Sequence, residues 1–406
     1  MKSRSIHSPQ KGQDLQGLRN SNLQTLITEI WQNSPIYRDE LAKRTGLSSS
    51  SITRLINELI RLDLIEETSK KEIKRGRSPK LLTPNPNAGF VISLDLDGRY
   101  LRSGIFDSAN NTKLVVEEPY RDFSVEPIGD QIIQLVNRLI HHPVAKDRKL
   151  LGIGVSVPGI VDVNHGMIVD SYNLHLHSYP IRDLLNDNFG KVVYIEHDAS
   201  AAAVAEHYYG AGKGENNFIY IMASNGIGSG VILDGQIYRG QTGRLGQLGH
   251  IIVNPNGQLC VCGQYGCLET VASVPAILSN VKRAAAQWNT LADGDHQLHT
   301  LNELTIPSLA AAAQEGNQLA LKVFAKAAEH IAYAISIYAT LFDIHLVILG
   351  GELMKAGDMF LGLIHSALKQ YLTTHKDIRV VCNQLEENAF LKGVSLLTIQ
   401  ELLRFV

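Results

Sequence analysis

Three of the chain's four cysteines fall within eight residues, at 260, 262 and 267, and a Gly249-His250 pair lies just upstream. Glycines at 257, 263 and 266 leave little apolar side chain between them, so the thiols are not filling a hydrophobic core. One imidazole and three thiols make a closed tetrahedral N/S set that suits a structural Zn2+, bound by His250, Cys260, Cys262 and Cys267, with no position left for a reacting water. Crowding of this kind fits metal ligation in a reducing compartment better than a disulfide framework. A loop stapled this way draws His250 and the nearby Glu269 toward a common site. Cys382 stands alone and is expected to be a buried apolar filler.

At 406 residues the chain exceeds the size at which one core keeps growing, so two or three domains are expected. An apolar fraction of 44% and a charged fraction of 19% are those of an ordinary globular protein. No apolar run approaches the roughly 18 to 20 residues of a membrane span. Met1-Lys2-Ser3-Arg4 opens no apolar signal segment, so a cytoplasmic location is expected. The net charge of −2 conceals an asymmetry: residues 1–90 hold 15 Lys and Arg against 9 Asp and Glu, and the remainder 23 against 31. A head of +6 on a body of −8 is the balance of a nucleic-acid-binding module fused to a soluble sensor.

The head has an internal order. Residues 18–31 place apolar side chains at 23, 26, 27, 30 and 31, the spacing of an amphipathic helix, which Ser34-Pro35 ends. A short helix over 38–44 runs into Thr45-Gly46-Leu47, a turn whose glycine tolerates positive φ. Ser48 then caps a third helix with apolar positions 52, 55, 56, 59 and 60 on one face. This is helix-turn-helix order, and it offers Ser49, Ser50, Ser51, Thr53 and Arg54 to base edges in the major groove of a DNA operator. In segment 69–80 six cations oppose Glu72 alone, which predicts a basic wing whose Arg75 and Arg77 follow phosphates or enter a narrow minor groove. Asn85-Pro86-Asn87-Ala88-Gly89 closes the module.

From Phe90 onward Val- and Ile-rich strand runs alternate with helical segments, which predicts an α/β body. Leu94-Asp95-Leu96-Asp97-Gly98-Arg99 is a strand running into a turn with acids. Gly152 to Asp162 is glycine-punctuated and is followed by Asn173-Leu174. Glu196-His197-Asp198-Ala199 opens an Ala-rich helix. Ser224-Asn225-Gly226-Ile227-Gly228-Ser229-Gly230 lies between two apolar strands, as a phosphate-cradling loop or a tight hairpin would.

In this order these residues resemble the ROK family of repressors and sugar kinases, over nearly the whole chain and most specifically through 249–269. The resemblance implies an actin/hexokinase-like two-lobed α/β fold preceded by an all-α/winged helix-turn-helix domain. On that pattern residues 1–88 bind DNA, 89–200 with a C-terminal helix 388–406 form the first lobe, and 201–387 form the second lobe with the zinc site. By the same resemblance Asp198 stands where the kinases keep their catalytic base, and Asn173, His197, Asp198, Gln247, His250 and Glu269 stand where the family contacts sugar hydroxyls. Such groups select a sugar because a buried polar atom left unpartnered costs about 1–3 kcal/mol.

Departures from the family pattern point away from an enzyme. The first phosphate loop keeps Asp95 and Gly98 but has lost a second glycine and a threonine, with Asp97 and Arg99 nearby. The second keeps Gly226 and Gly228 and has Asn225 where threonine is usual. Asp97 also adds a charge that repels a triphosphate. His197 replaces an asparagine, and Gln247 replaces a glutamate, exchanging an acceptor-only group for one that also donates. The expectation is a repressor that answers to a monosaccharide or sugar derivative, as a homodimer or homotetramer suited to paired half-sites. Two alternatives stand beside it: a sugar kinase with residual ATP-dependent activity, and a repressor controlled by a sugar-transport protein.

Overall fold

The apolar spacing at the N-terminus produces helices where it predicts them. In a computed structural model that describes residues 15–69, 80–98, 100–121, 127–289, 304–372, 378–385 and 388–402, the chain opens with α1 (Leu15–Asn33), followed by β1 (Ile36–Tyr37) and α2 (Arg38–Thr45). Gly46 ends α2 in the left-handed conformation, φ 68°. Ser48 caps α3 (Ser49–Arg61), its Oγ accepting the Ser51 N–H at 3.2 Å. Leu23, Leu26, Ile27 and Ile30 of α1 and Ile52, Leu55, Ile56 and Leu59 of α3 are buried in one continuous core. β2 (Ile65–Ser69) and β3 (Lys80–Pro84) pair antiparallel, and β1 joins the other edge of β3, giving the three-stranded wing sheet. Arg75 and Arg77, and further on Arg99, lie outside the described residues.

Two sheets of identical topology form the body. The first is built from β4 (Phe90–Leu96), β5 (Tyr100–Asp107), β6 (Thr112–Pro119), β7 (Leu150–Val157) and β11 (Val192–His197), in the order β11-β7-β4-β5-β6. Between its strands lie α4 (Ile128–Ile140), a small sheet of β8 (Ile160–Asp162), β9 (Met167–Ser171) and β10 (Leu176–Tyr179), and α5 (Ile181–Phe189). α6 (Asp198–Tyr209) follows directly on β11. The second sheet, ordered β14-β13-β12-β15-β16, uses β12 (Phe218–Ala223), β13 (Ile227–Leu233), β14 (Gln236–Ile237), β15 (Leu346–Gly350) and β16 (Arg379–Cys382). Its helices are α7 (Glu269–Ala272), α8 (Val274–Asn289), α9 (Ile306–Gln314), α10 (Gln318–Phe342) and α11 (Gly357–Tyr371), and α12 (Ala389–Leu402) follows β16.

In each sheet the first three strands form antiparallel pairs and the last two add in parallel. Every residue of β4 and β15 is buried, as expected of strands covered on both faces. The repeat gives two equivalent hairpin turns, after β4 and after β12. α12 returns from the second sheet to pack on β4, β7 and β11 of the first, and against α6. Among the described residues no helix is long and apolar enough to cross a membrane.

Candidate functional site

The two hairpin turns face a cavity of about 660 Å3 lined by residues of both sheets. Asn173, His197, Asp198, Gln247, His250 and Glu269 all line it, as do Asp95, Asp97, Gly226 and Gly228. The residues expected to contact sugar and those expected to form two altered phosphate loops, Gly98 apart, therefore share one cleft. Gly98 turns at φ 56° against Asn173 but is not itself among the lining residues.

Asp198 is the first residue of α6, where the helix N-terminus favours negative charge. Burial nevertheless dominates: desolvation, opposed by the Ala199 N–H and helped by Asp97, pushes its pKa up to about 7. His197 Nε2 lies 3.2 Å from Asp198 Oδ1. Desolvation lowers the His197 pKa to about 4, so this contact joins a neutral imidazole to the carboxyl. His197 Nδ1 is buried and finds no hydrogen-bond partner among the described residues.

Glu269 accepts the Ile227 N–H at 3.1 Å through Oε2. A Cβ at Gly226 would stand 2.7 Å from that oxygen, and one at Gly249 3.2 Å from it, so both glycines make room for the carboxylate. Gln247 Nε2 donates to Gly159 O at 3.1 Å, which ties the segment before His250 to the loop after β7. A glutamate could not make this bond.

Asp198 has further acids near it in the cleft. Asp95 accepts from Ser156 Oγ at 3.0 Å, and Arg102 lies 3.8 Å from Asp95, 4.0 Å from Asp97 and 2.5 Å from Glu117. Desolvation, with repulsion from Asp198 and Asp97 outweighing Arg102, pushes the Asp95 pKa up to about 7. The turn after β12 is a tight hairpin, closed by the Ser224 N–H donating to Gly226 O at 2.9 Å.

His250, Cys260, Cys262 and Cys267 come together as the spacing requires, with ligand atoms all within 4.8 Å of one another. His250 Nδ1 and Cys260 Sγ are 3.6 Å apart, and Cys262 and Cys267 Sγ 3.7 Å. The set can hold a metal ion. Cys382 departs from expectation: it is only partly buried and lines the cleft, because β16 ends there. On the head, Ser49, Ser50, Thr53 and Arg54 are exposed along one face of α3, while Ser51 is half-buried and occupied with the Ser48 cap.

Three features carry no signal in the sequence. Arg102 became visible only through register, which sets it across from Asp95 on one side and Glu117 on the other. Arg239, in the loop after β14, donates to the fully buried Glu196 at 2.6 Å and to Tyr194 Oη at 2.8 Å, and so bridges the two sheets. Lys355 and Asn383 also line the cleft.

Residues 91–401 match the ROK family, and residues 19–66 match a winged helix-turn-helix DNA-binding family. The chain is 27% identical to the xylose repressor of Caldicellulosiruptor bescii over 96% of this chain and 98% of that protein. It is 30% identical to the DNA-binding transcriptional repressor Mlc of Escherichia coli K12, over 87% of this chain and 86% of that one. Among solved structures, a ROK family transcriptional regulator described as a homolog of the E. coli MLC protein superposes with a TM-score of 0.82 at 26% identity, covering 95% of this chain and 97% of that one. A ROK family glucokinase from Streptomyces griseus, in complex with glucose and AMPPNP, superposes with a TM-score of 0.65 at 26% identity, over 76% of this chain and 99% of the kinase.

Proposed function

We propose, for a chain that belongs to the ROK family, that it is a sugar-responsive DNA-binding transcription repressor whose effector is an unphosphorylated sugar seated in the cleft. The observation that carries this reading is the convergence of Asp198, His197, Gln247, His250 and Glu269 on one cavity behind a winged helix-turn-helix. Carboxyl, imidazole and amide groups are the chemistry that reads hydroxyls. The acids Asp95, Asp97, Glu117 and Asp198 against Arg102 and Lys355 favour a neutral ligand over a phosphorylated one. Residues 1–88 would then be the DNA-binding part, 89–200 with 388–406 the first lobe, and 201–387 the second, a division supported by the packing of α12 on the first sheet. Paired half-sites would call for a homodimer or homotetramer.

Zn2+ suits the thiol cluster. Tetrahedral bonds of about 2.3 Å to sulfur and 2.0–2.1 Å to nitrogen place ligand atoms roughly 3.5–3.8 Å apart, which accommodates the 3.6 and 3.7 Å separations here. Bound zinc would supply structural cross-linking, and His250 would keep Nε2 for a sugar hydroxyl.

The kinase reading is favoured by the retained Asp95 and Asp198 and by the likeness to the glucokinase. It is weakened by the company Asp95 keeps, with Ser156 and Arg102 engaged and Asp97 adjacent.

Thermal shift with D-xylose, D-glucose, N-acetyl-D-glucosamine and their terminal phosphates tests the ligand class, since saturation at 100 times Kd stabilises by about 2.7 kcal/mol. A neutral sugar should raise Tm and alter affinity for a duplex selected from random sequence. No shift with any neutral sugar, or a shift only with phosphates, would overturn the reading.

A further inference from the structure

α6 begins in the cleft and ends on the DNA-binding head. Asp198 is its first residue, and ten residues later the Tyr208 hydroxyl donates to Thr28 Oγ1 of α1 at 3.1 Å while accepting from Gln400 Nε2 of α12 at 2.8 Å. At 1.5 Å per residue the two ends are about 15 Å apart. Tyr208 is 5% exposed, and it belongs to the same continuous core as Leu23, Ile27 and Ile30 of α1 and Leu55 and Leu59 of α3. The helix that would read DNA is thus joined through α1 to the helix that opens the cleft.

Between its ends α6 has little room to slip. Residues 198–208 are all buried. Gly230 of β13 and Gly393 of α12 lie directly on its backbone: a Cβ at Gly230 would stand 2.3 Å from Ala199 O, and one at Gly393 1.8 Å from Ala201 O. Near the far end Glu206 accepts the backbone N–H groups of Ala211, Gln384 and Leu385 at 2.7, 3.0 and 2.9 Å. A close-packed helix gripped on two sides moves as a body rather than by local yielding. Displacement at Asp198 therefore reaches Tyr208.

We infer that α6 is the coupling rod of this protein, and that the Tyr208 hydroxyl, shared with Thr28 and Gln400, is the joint through which occupancy of the cleft sets the position of the DNA-binding head. Tyr208 is a positioning residue: it touches neither the cleft nor the exposed face of α3. The inference rests on the cleft being an effector site, and its test separates the two.

The test uses the full-length chain and the Tyr208→Phe variant, which keeps the ring and removes the joint. In the first arm, operator affinity is measured by anisotropy without sugar and with saturating D-xylose, D-glucose or N-acetyl-D-glucosamine. Wild type should change by about 5-fold or more with a sugar that binds. In the variant that ratio should fall to within about 2-fold of unity, with calorimetric sugar affinity and sugar-free operator affinity each kept within about 2-fold. An unchanged ratio overturns the inference. The second arm needs no sugar. Asp198→Asn alters charge at the head of α6, and hydrogen exchange should show altered protection of α1 amides around Thr28 in that variant. Adding Tyr208→Phe should abolish the alteration. If Asp198→Asn leaves α1 protection untouched, the rod does not transmit and the inference fails; if it alters protection while no sugar binds, the effector reading fails and the rod stands.

Discussion

His250 turns Nδ1 toward Cys260 Sγ, 3.6 Å away, while its ring lines the cleft. The proposed metal site and the proposed sugar site therefore share one side chain. Purified protein is expected to carry about one zinc per chain. Cys260→Ser should lower the metal content and Tm together, and weaken sugar binding by loosening His250. Elemental analysis, thermal unfolding and calorimetry on the same preparation check all three effects.

Acidity in the cleft gives a pH dependence of definite sign. Asp95 and Asp198 are raised to about 7 in the folded protein from an ordinary 3.8. Between those values the native state holds protons that the unfolded chain has released, so stability falls as pH rises from about 4 to about 7. A sugar hydroxyl donating to ionised Asp198 reverses the preference at that site. Affinity should therefore rise by about tenfold from pH 6 to pH 8, as the ionised fraction of a group with pKa near 7 rises. Calorimetry at pH 6, 7 and 8 should show this in wild type, and Asp198→Asn should flatten the part due to that residue.

Gln247 donates to Gly159 O across the cleft, a bond its amide can make and a carboxylate cannot. Gln247→Glu should remove that bond and set a charge against a carbonyl, lowering stability by about 1 kcal/mol or more. Denaturant unfolding reads the loss. An isosteric change with no effect on stability would mean that this tie contributes nothing to holding the lobes together.

With Asp97 beside Asp95 and Asn225 in the second turn, phosphoryl transfer to a sugar should not proceed at an enzymatic rate. A coupled ADP-release assay with any sugar that shifts Tm should stay well below about 1 per second, the lower end of typical turnover.

Arg54 is exposed on α3, while Arg75 and Arg77 belong to the basic segment 69–80. Arg54→Ala should relax preference at one or two base pairs, by about 1–3 kcal/mol if a guanine is its partner. Replacing Arg75 and Arg77 by Ala should weaken binding to all duplexes and flatten its salt dependence. Where the wing reads a narrow A·T minor groove, A·T-rich sites should lose most. Anisotropy on selected and scrambled duplexes at several salt concentrations separates these outcomes.

The sequence by itself determined the features whose physics is local. Ser48 before an amphipathic run fixes the start of α3, Gly46 fixes the turn, and one imidazole with three thiols at short spacing marks a candidate metal set before any fold is known. The resemblance to a family placed Asp198, His197 and Glu269 in one site, and the cavity brings them together. What only the tertiary structure decided depends on which distant segments meet. Arg102 reads as an ordinary strand residue until register sets it between Asp95 and Glu117. Cys382 reads as core until the end of β16 opens onto the cleft. Tyr208 reads as one more apolar position on an Ala-rich helix until folding brings Thr28 and Gln400, 180 and 192 residues away, to its hydroxyl. Pattern along the chain reports which face of an element is apolar; the partner of a buried polar atom is set by packing, and packing is a property of the whole chain.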